Sequence, residues 1–141
     1  MSNLEQTLSI IKPDAVERNL DQEIKNIFLS NSFKIVKEKK IQLEKSDAEK
    51  FYKVHQTKPF YNDLCNYLSS GPIVVMVLEK INAVKANREL MGATNPKEAE
   101  KGTIRNEFAE SIEANSVHGS DSLENAKSEI SFFFAEIELI Y

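Results

Sequence analysis

Residues 73–78 read Ile-Val-Val-Met-Val-Leu and follow directly on Gly71-Pro72. A short, continuous apolar run that begins after a turn signal is typical of a strand buried on both faces. Such a strand belongs to a sheet that other elements cover. Its partner strands must come from the rest of the chain.

Three more segments have strand character. Thr7–Ile11 is rich in β-branched residues, and it ends at Pro13, which has no N–H to donate to a neighbouring strand. The second is Phe33–Leu43. The third is a closing strand in which Ile137, Leu139 and Ile140 alternate with glutamates.

Helical patterns occupy the segments between these strands. Leu20, Ile24, Ile27 and Phe28 recur at helical spacing, and Ser46 with Glu49 resembles a capping box that begins a helix running through Phe51 and Tyr52. The remaining helices are predicted from Phe60 to Leu68, from an Asn82 cap to Met91-Gly92, and from an Asp121 or Ser122 cap through Leu123, Ala126, Ile130, Phe133 and Phe134. The run 132–134 is interpreted as core.

The resulting order is βαββαβ with additional helices. It predicts a single α+β domain over residues 1–141, with a ferredoxin-like antiparallel sheet covered by helices. Residues 93–119 show little periodicity, and long irregular segments in compact domains are often functional.

Composition limits the classes of function. The net charge of −4 argues against a nucleic-acid-binding module, and the single cysteine excludes an internal disulfide. The N-terminus has no signal-peptide pattern, and no apolar run approaches the roughly 18 residues that a membrane span needs. We therefore expect a soluble, cytoplasmic protein that binds neither nucleic acid nor membrane.

The sequence also excludes several kinds of site. The four glycines are too widely spaced for a Rossmann fingerprint or a P-loop, and the two histidines lack zinc-site spacing. A Ser-His-Asp site stays open, although no G-x-S-x-G elbow is present. Any phosphate group must therefore be bound by cationic side chains.

Residues 115–122 read Asn-Ser-Val-His-Gly-Ser-Asp-Ser. We interpret His118 as lying in a polar turn before a helix, with Gly119 leaving one side of the imidazole open. A neutral imidazole is a good nucleophile toward phosphorus, and Glu129 is placed to hold one tautomer. The spacing alone is equally compatible with an exposed turn histidine that does no chemistry. The other histidine, His55, is interpreted as structural.

The same segment, together with Ile11-Lys12-Pro13-Asp14, resembles the nucleoside diphosphate kinase family. The resemblance extends in order through further blocks over essentially the whole chain: Tyr52, Pro59-Phe60, residues 70–72, residues 91–96 and residues 102–105. Any one block is weak evidence, whereas the ordered set is very specific.

The resemblance implies a ping-pong kinase in which His118 takes the γ-phosphoryl group of ATP or another nucleoside triphosphate and passes it to a diphosphate. It implies catalytic roles for Lys12, Tyr52, Ser120 and Glu129, and nucleotide contacts by Lys12, Phe60, Arg88, Thr94, Arg105 and Asn115. Mg²⁺ is expected to be carried by the nucleotide phosphates, with Asp121 contacting it through water and no direct protein ligand. One aromatic face for the base implies broad base specificity.

Four positions depart from the family pattern. Asn19, Gln22 and Ser32 stand where relatives commonly have glycine, and Lys58 stands where arginine is usual. Lysine cannot form the bidentate contacts of arginine. Chain length leaves both a tetramer and a hexamer open for the expected homo-oligomer.

Two other hypotheses predict different behaviour. A nucleotide-binding regulatory protein without turnover would bind GDP and exchange nothing. A nucleic-acid-binding protein would bind through the same cationic residues, with an affinity that falls steeply as salt rises.

Overall fold

The computed structural model describes residues 4–111 and 114–134. These contain a four-stranded sheet in the order β2-β3-β1-β4, and each neighbouring pair is antiparallel. The strands are β1 (Leu4–Ile11), β2 (Lys34–Ile41), β3 (Ile73–Ile81) and β4 (Val117–Gly119). The predicted ferredoxin-like α+β fold is confirmed. The predicted closing strand at 137–140 lies outside the described residues.

Seven α-helices surround this sheet in the described part of the chain. They are α1 (Pro13–Glu17), α2 (Asp21–Ser30), α3 (Lys45–Phe51), α4 (Tyr61–Leu68), α5 (Ala83–Met91), α6 (Ile104–Phe108) and α7 (Leu123–Phe133), with a 3₁₀ turn at Lys53–His55.

The apolar run of β3 is buried on both faces, as predicted. Ile73, Val75 and Val77 join a core cluster that includes residues of α7, whereas alternate residues such as Met76 join a second cluster with α2 and α5. Full burial of each such side chain contributes about 1.5–3 kcal/mol. The run is continuous because each face of the strand packs against its own layer of helices.

One predicted cap differs from the structure and another agrees with it. The helix α3 begins at Lys45, so Ser46 lies inside it, and the Asp47 carboxylate accepts the Glu44 N–H at 3.1 Å. The predicted Ser46 capping box is therefore wrong. Ser122 does cap α7, and its hydroxyl accepts the Asn125 N–H at 3.0 Å.

The irregular segment 93–119 contains two elements that its sequence pattern did not predict, α6 and β4. Thr103 begins α6, because its hydroxyl accepts the Asn106 N–H at 3.3 Å. The short helix α1 after Pro13 was also not predicted, although proline is well suited to the first turn of a helix. These three elements are too short for a periodic pattern of apolar residues to be visible in the sequence.

Two of the departures from the family pattern have a backbone explanation. Asn19 has φ 59° and Ser32 has φ 68°, both in the left-handed region where glycine carries no steric cost. Both positions therefore lie in turns whose backbone conformation would also suit glycine. Gln22 lies within α2, where its amide donates to Asn26 at 3.0 Å.

No helix among the described residues is long and apolar enough to cross a membrane.

Candidate active site

Strand β4 brings the histidine segment to the end of β1. In the ladder, Ile10 is paired with His118 and Ile11 with Val117. The Lys12 N–H continues this contact by donating to the Ser116 carbonyl at 2.8 Å. Residues 115–118 and Lys12, far apart in sequence, are therefore neighbours.

His118 lies on a strand rather than in a turn, which corrects the sequence interpretation. Its neighbour Val117 is fully buried in the cluster that contains α2 and α5, so the alternation of the strand directs His118 to the opposite face. Its side chain is 21 % exposed. The ring is thus held at the surface of the core and stays accessible.

A carboxylate fixes one side of the imidazole. His118 Nε2 lies 2.9 Å from Glu129 Oε1, and the Ser120 hydroxyl donates to the same oxygen at 2.9 Å. Ser120 is itself bonded to Leu8 of β1, through its backbone N–H at 3.2 Å and its hydroxyl at 3.3 Å. Because a carboxylate only accepts, Nε2 must carry the proton, which leaves a lone pair on Nδ1.

Gly119 allows the backbone of β4 to lie close to α5. A Cβ at this position would lie 2.4 Å from Asn87 Nδ2 and 2.7 Å from Met91 Cε, both on α5. A side chain here would force Asn87 or Met91 to move, so the close approach of strand and helix depends on glycine.

We predict that Gly119→Ala lowers the free energy of unfolding by about 1–3 kcal/mol, the usual cost of overpacking. Gly71→Ala is the matched control, because its Cβ would meet only Pro13 Cβ at an ordinary 3.6 Å. Urea denaturation of both variants measures the difference. Equal midpoints for the two variants would contradict the packing explanation.

Lys12 is a buried cation at the centre of the site. Its Nζ donates to Asn115 Oδ1 at 2.8 Å. Burial, followed by repulsion from Arg105, lowers the pKa of Lys12 to about 8, although Asp14 acts in the opposite direction. An ammonium this poorly solvated is stabilised by a phosphate placed next to it.

Arg105 is the second buried cation. Its guanidinium donates to the Gly92 carbonyl at 2.9 Å and to the Val117 carbonyl at 3.0 Å, and its Nε has no partner among the described residues. Burial, followed by repulsion from Arg88, lowers the pKa of Arg105 to about 10. Arg105 therefore lies close enough to Lys12 and to Arg88 to be repelled by each of them.

Asp14 fixes the loop that precedes β4. Its carboxylate accepts the Tyr67 hydroxyl, the Ser116 hydroxyl at 3.1 Å and the Arg18 guanidinium at 3.3 Å. Ser116 has φ 71°, an uncommon backbone conformation for serine. The buried carboxylate therefore holds in place the turn that positions Asn115.

Arg88 and Thr94 are exposed and line one cleft. This cleft of about 1070 Å³ lies between α5 and the segment that follows it, and Asp121 also lines it. His118 is not among its lining residues. Arg88 therefore connects the cleft to the cationic cluster around Arg105.

Tyr52 and Phe60 are the two aromatic residues that the family resemblance assigned to the site. Tyr52 is buried, which raises its pKa, and its ring packs edge to face on Phe51 at 5.2 Å. Phe60 is 46 % exposed, with Lys58 Nζ 5.7 Å from its centroid. One face of Phe60 is thus available to a planar group.

His55 lies among these aromatic residues. Its ring centroid is 6.2 Å from Tyr52 and 6.4 Å from Phe60, and its buried Nδ1 has no partner among the described residues. Burial and then Lys58 lower its pKa, and Asp121 acts in the opposite direction. No feature of the sequence indicated that His55 lies among these aromatic residues.

Phe51 was also missed as a site residue. Its ring lies 5.4 Å from that of His118 and 5.6 Å from that of Phe132. Phe132 is 40 % exposed, so the run 132–134 is not wholly core as predicted, although Phe133 and Phe134 are buried. The sequence placed Phe51 only within a helix that was predicted to run through it and Tyr52.

Among the described residues, no group of three or more His, Cys, Asp or Glu side chains is placed to hold a metal ion.

Comparison with known proteins identifies the family. The family model described as nucleoside diphosphate kinase matches residues 5–139. The chain belongs to the nucleoside diphosphate kinase family. Nucleoside diphosphate kinases from Nitratiruptor sp. and Campylobacter fetus subsp. fetus are 64 % and 63 % identical to it. These matches cover 97 % and 96 % of this chain, and 100 % and 99 % of the relatives.

Solved structures of nucleoside diphosphate kinases share its fold. The enzyme from Aquifex aeolicus superposes with a TM-score of 0.93 at 39 % identity, covering 96 % of this chain and 98 % of the other. The apo enzyme from Encephalitozoon cuniculi gives 0.90 at 33 % identity, covering 94 % and 90 %. The family resemblance predicted from the ordered sequence blocks is confirmed.

Proposed function

We propose that this chain is an active nucleoside diphosphate kinase and that Nδ1 of His118 is its nucleophile. The observation that carries the proposal is the contact of 2.9 Å between His118 Nε2 and Glu129 Oε1. This contact keeps the proton on Nε2 and the lone pair on Nδ1, in a ring that is partly exposed beside buried cations.

The first half-reaction is a displacement at the γ-phosphorus of a nucleoside triphosphate. The Nδ1 lone pair forms the new P–N bond as the bond to the bridging oxygen breaks, and its electron pair leaves with the diphosphate. The imidazole ring becomes cationic, and the Glu129 carboxylate stabilises that charge. A second diphosphate reverses the step.

Lys12, Arg105, Arg88 and Thr94 are proposed to bind the phosphates. Phosphoryl transfer depends mainly on positioning and charge neutralisation, which fixed N–H donors provide. The proposal is supported by the burial of Lys12 and Arg105. Each donates a hydrogen bond to the segment that carries His118, Lys12 to Asn115 and Arg105 to Val117. Arg88 extends the cationic region toward Thr94.

Asn115 and Phe60 are proposed to bind the nucleoside. Lys12 donates a hydrogen bond to the Asn115 amide and so fixes its position. An amide group carries both donors and an acceptor, which suits the hydroxyl groups of a sugar. The exposed Phe60 offers a face on which any base stacks, so base specificity is expected to be broad. Tyr52 and Ser120 are proposed to keep the residues around His118 in place.

Mg²⁺ is proposed to enter with the nucleotide. It neutralises charge on the β- and γ-phosphate oxygens when bound. Asp121 is the proposed protein contact, through water, because its carboxylate lines the cleft that Arg88 and Thr94 share. Asn125 donates a hydrogen bond to that carboxylate and holds it there.

A homo-oligomer, either tetramer or hexamer, and a cytoplasmic location are proposed from the family resemblance. Size-exclusion chromatography with light scattering distinguishes four subunits from six.

The lowered pKa of Lys12 predicts a pH dependence. Lys12 is protonated below its pKa of about 8 and loses its charge as the pH rises through that value. We expect kcat/KM for ATP, which reports the free enzyme, to fall above about pH 8. Bound phosphate raises this pKa, so the decline in kcat should lie at higher pH. A flat kcat/KM profile to pH 10 would contradict this role.

The direct test of the proposed function is incubation with ATP and GDP. We expect GTP to form, with parallel double-reciprocal plots that indicate a ping-pong mechanism. Binding of GDP without formation of GTP, in protein of native melting temperature, would contradict the proposal and favour a regulatory nucleotide-binding protein. Similar activity with CDP and UDP tests the broad base specificity.

A further inference from the structure

Among the described residues, Phe51 is the one whose aromatic ring packs on the proposed nucleophile. It ends α3, and its ring centroid lies 5.4 Å from that of His118 with an interplanar angle of 74°, an edge-to-face arrangement. Such contacts contribute about 0.5–1.5 kcal/mol beyond area burial and favour one relative orientation of the rings.

Phe51 is itself held by three other rings. It packs on Tyr52 at 5.2 Å, on Phe133 at 5.2 Å and on Phe132 at 5.6 Å. Phe132 and Phe133 lie on α7, the helix that also carries Glu129. The aromatic contact and the carboxylate contact with His118 are therefore fixed to the same helix.

The two contacts restrain different motions of the imidazole. The bond to Glu129 anchors Nε2 but leaves the ring free to pivot about that contact. A neighbouring ring at a fixed angle restricts the pivot. Attack on phosphorus requires both the hydrogen bond and the ring contact, because Nδ1 must point along the line of the breaking P–O bond.

We propose that Phe51 is a positioning residue that fixes the plane of the His118 ring and keeps water away from its phosphorylated form. The proposal rests on the proposed function, because it concerns the phosphorylated state of His118. It assigns a reaction-specific role to a side chain that the sequence analysis placed only within a predicted helix.

The step that Phe51 would suppress is hydrolysis. A water oxygen bonds to phosphorus as the P–Nδ1 bond breaks, and the electron pair of that bond returns to Nδ1. Both water protons leave with the inorganic phosphate. An apolar ring against the imidazole excludes water from part of the approach to this bond.

The experiment compares Phe51→Leu and Phe51→Tyr with Phe132→Leu. Leucine removes the ring but retains apolar volume, whereas tyrosine keeps the ring. Phe132→Leu is the matched control, because Phe132 packs on Phe51 and has no ring contact with His118 among the described residues. Each variant is phosphorylated with γ-labelled ATP and then separated from nucleotide. The loss of label from the protein is then followed without any diphosphate acceptor.

For Phe51→Leu we expect the phosphorylation rate to fall roughly ten- to a hundredfold, in line with the cost of small misplacements, with KM for ATP little changed. Acceptor-free loss of label should accelerate severalfold. Phe51→Tyr should restore both rates toward wild type, and Phe132→Leu should change neither by more than about twofold. This pattern would separate positioning from a general loss of stability.

Three outcomes would overturn the inference. These are wild-type rates in Phe51→Leu, equal losses in Phe51→Leu and Phe132→Leu, and failure of Phe51→Tyr to restore either rate. If Phe51→Leu does not fold, Phe51→Met takes its place under the same criteria. A wild-type enzyme that acquires no label would instead contradict the proposed function itself.

Discussion

His118→Ala is expected to reduce formation of GTP from ATP and GDP by more than about 10⁴-fold, because removal of a covalent nucleophile leaves only substrate binding. Glu129 and Ser120 would remain bonded to one another with nothing to orient. The measurement is the initial rate of GTP formation at saturating nucleotide. The variant should still bind ADP, since the cationic side chains are unchanged.

The matched control is His55→Ala, which removes the other histidine of the chain. That variant should still acquire label from γ-labelled ATP, whatever its turnover. A His118→Ala variant that kept more than a few per cent of wild-type exchange would contradict the assignment of the nucleophile. Circular dichroism and the melting temperature establish that both variants are folded.

Lys12→Met is expected to lower kcat by about 10²–10³-fold, the usual cost of losing one fixed donor to developing charge. Methionine keeps the length and apolar stem of lysine, so the loss reflects the missing ammonium. It also leaves the buried Asn115 amide without its partner, which adds about 1–3 kcal/mol of destabilisation. Single-turnover phosphorylation by ATP measures the chemical step.

Lys34→Met serves as the control for a lost positive charge. Lys34 is exposed on β2, at the edge of the sheet opposite β4, and thus far from His118. Exchange should stay within about twofold of wild type, since distant exposed charges are screened by salt. Equal losses in the two variants would show that Lys12 acts only through the net charge of the protein.

The long elements and the family could be predicted from the sequence because their signals are local or ordered. The apolar run of β3, the helical spacing of α2 and the Ser122 cap are each visible within a single short stretch of sequence. Strand β4 was missed because it is only three residues long and exists through pairing with β1. No periodicity can emerge over that length.

The site was predicted residue by residue but not as an arrangement. The sequence indicated that His118 and Glu129 could meet, since Glu129 lies on the helix that follows. It could not reveal that Lys12 is buried against Asn115, that Gly119 is needed for close packing on α5, or that Phe51 contacts the imidazole. These contacts join distant segments and depend on tertiary packing.

The most direct measurement is NMR of the isolated phosphoenzyme after reaction with ATP. We expect phosphorus bonded to Nδ1 of His118, with Nε2 still protonated against Glu129, and complete transfer of that group to added GDP. Phosphorus on Nε2, on another residue, or in a form that GDP does not remove would contradict this expectation.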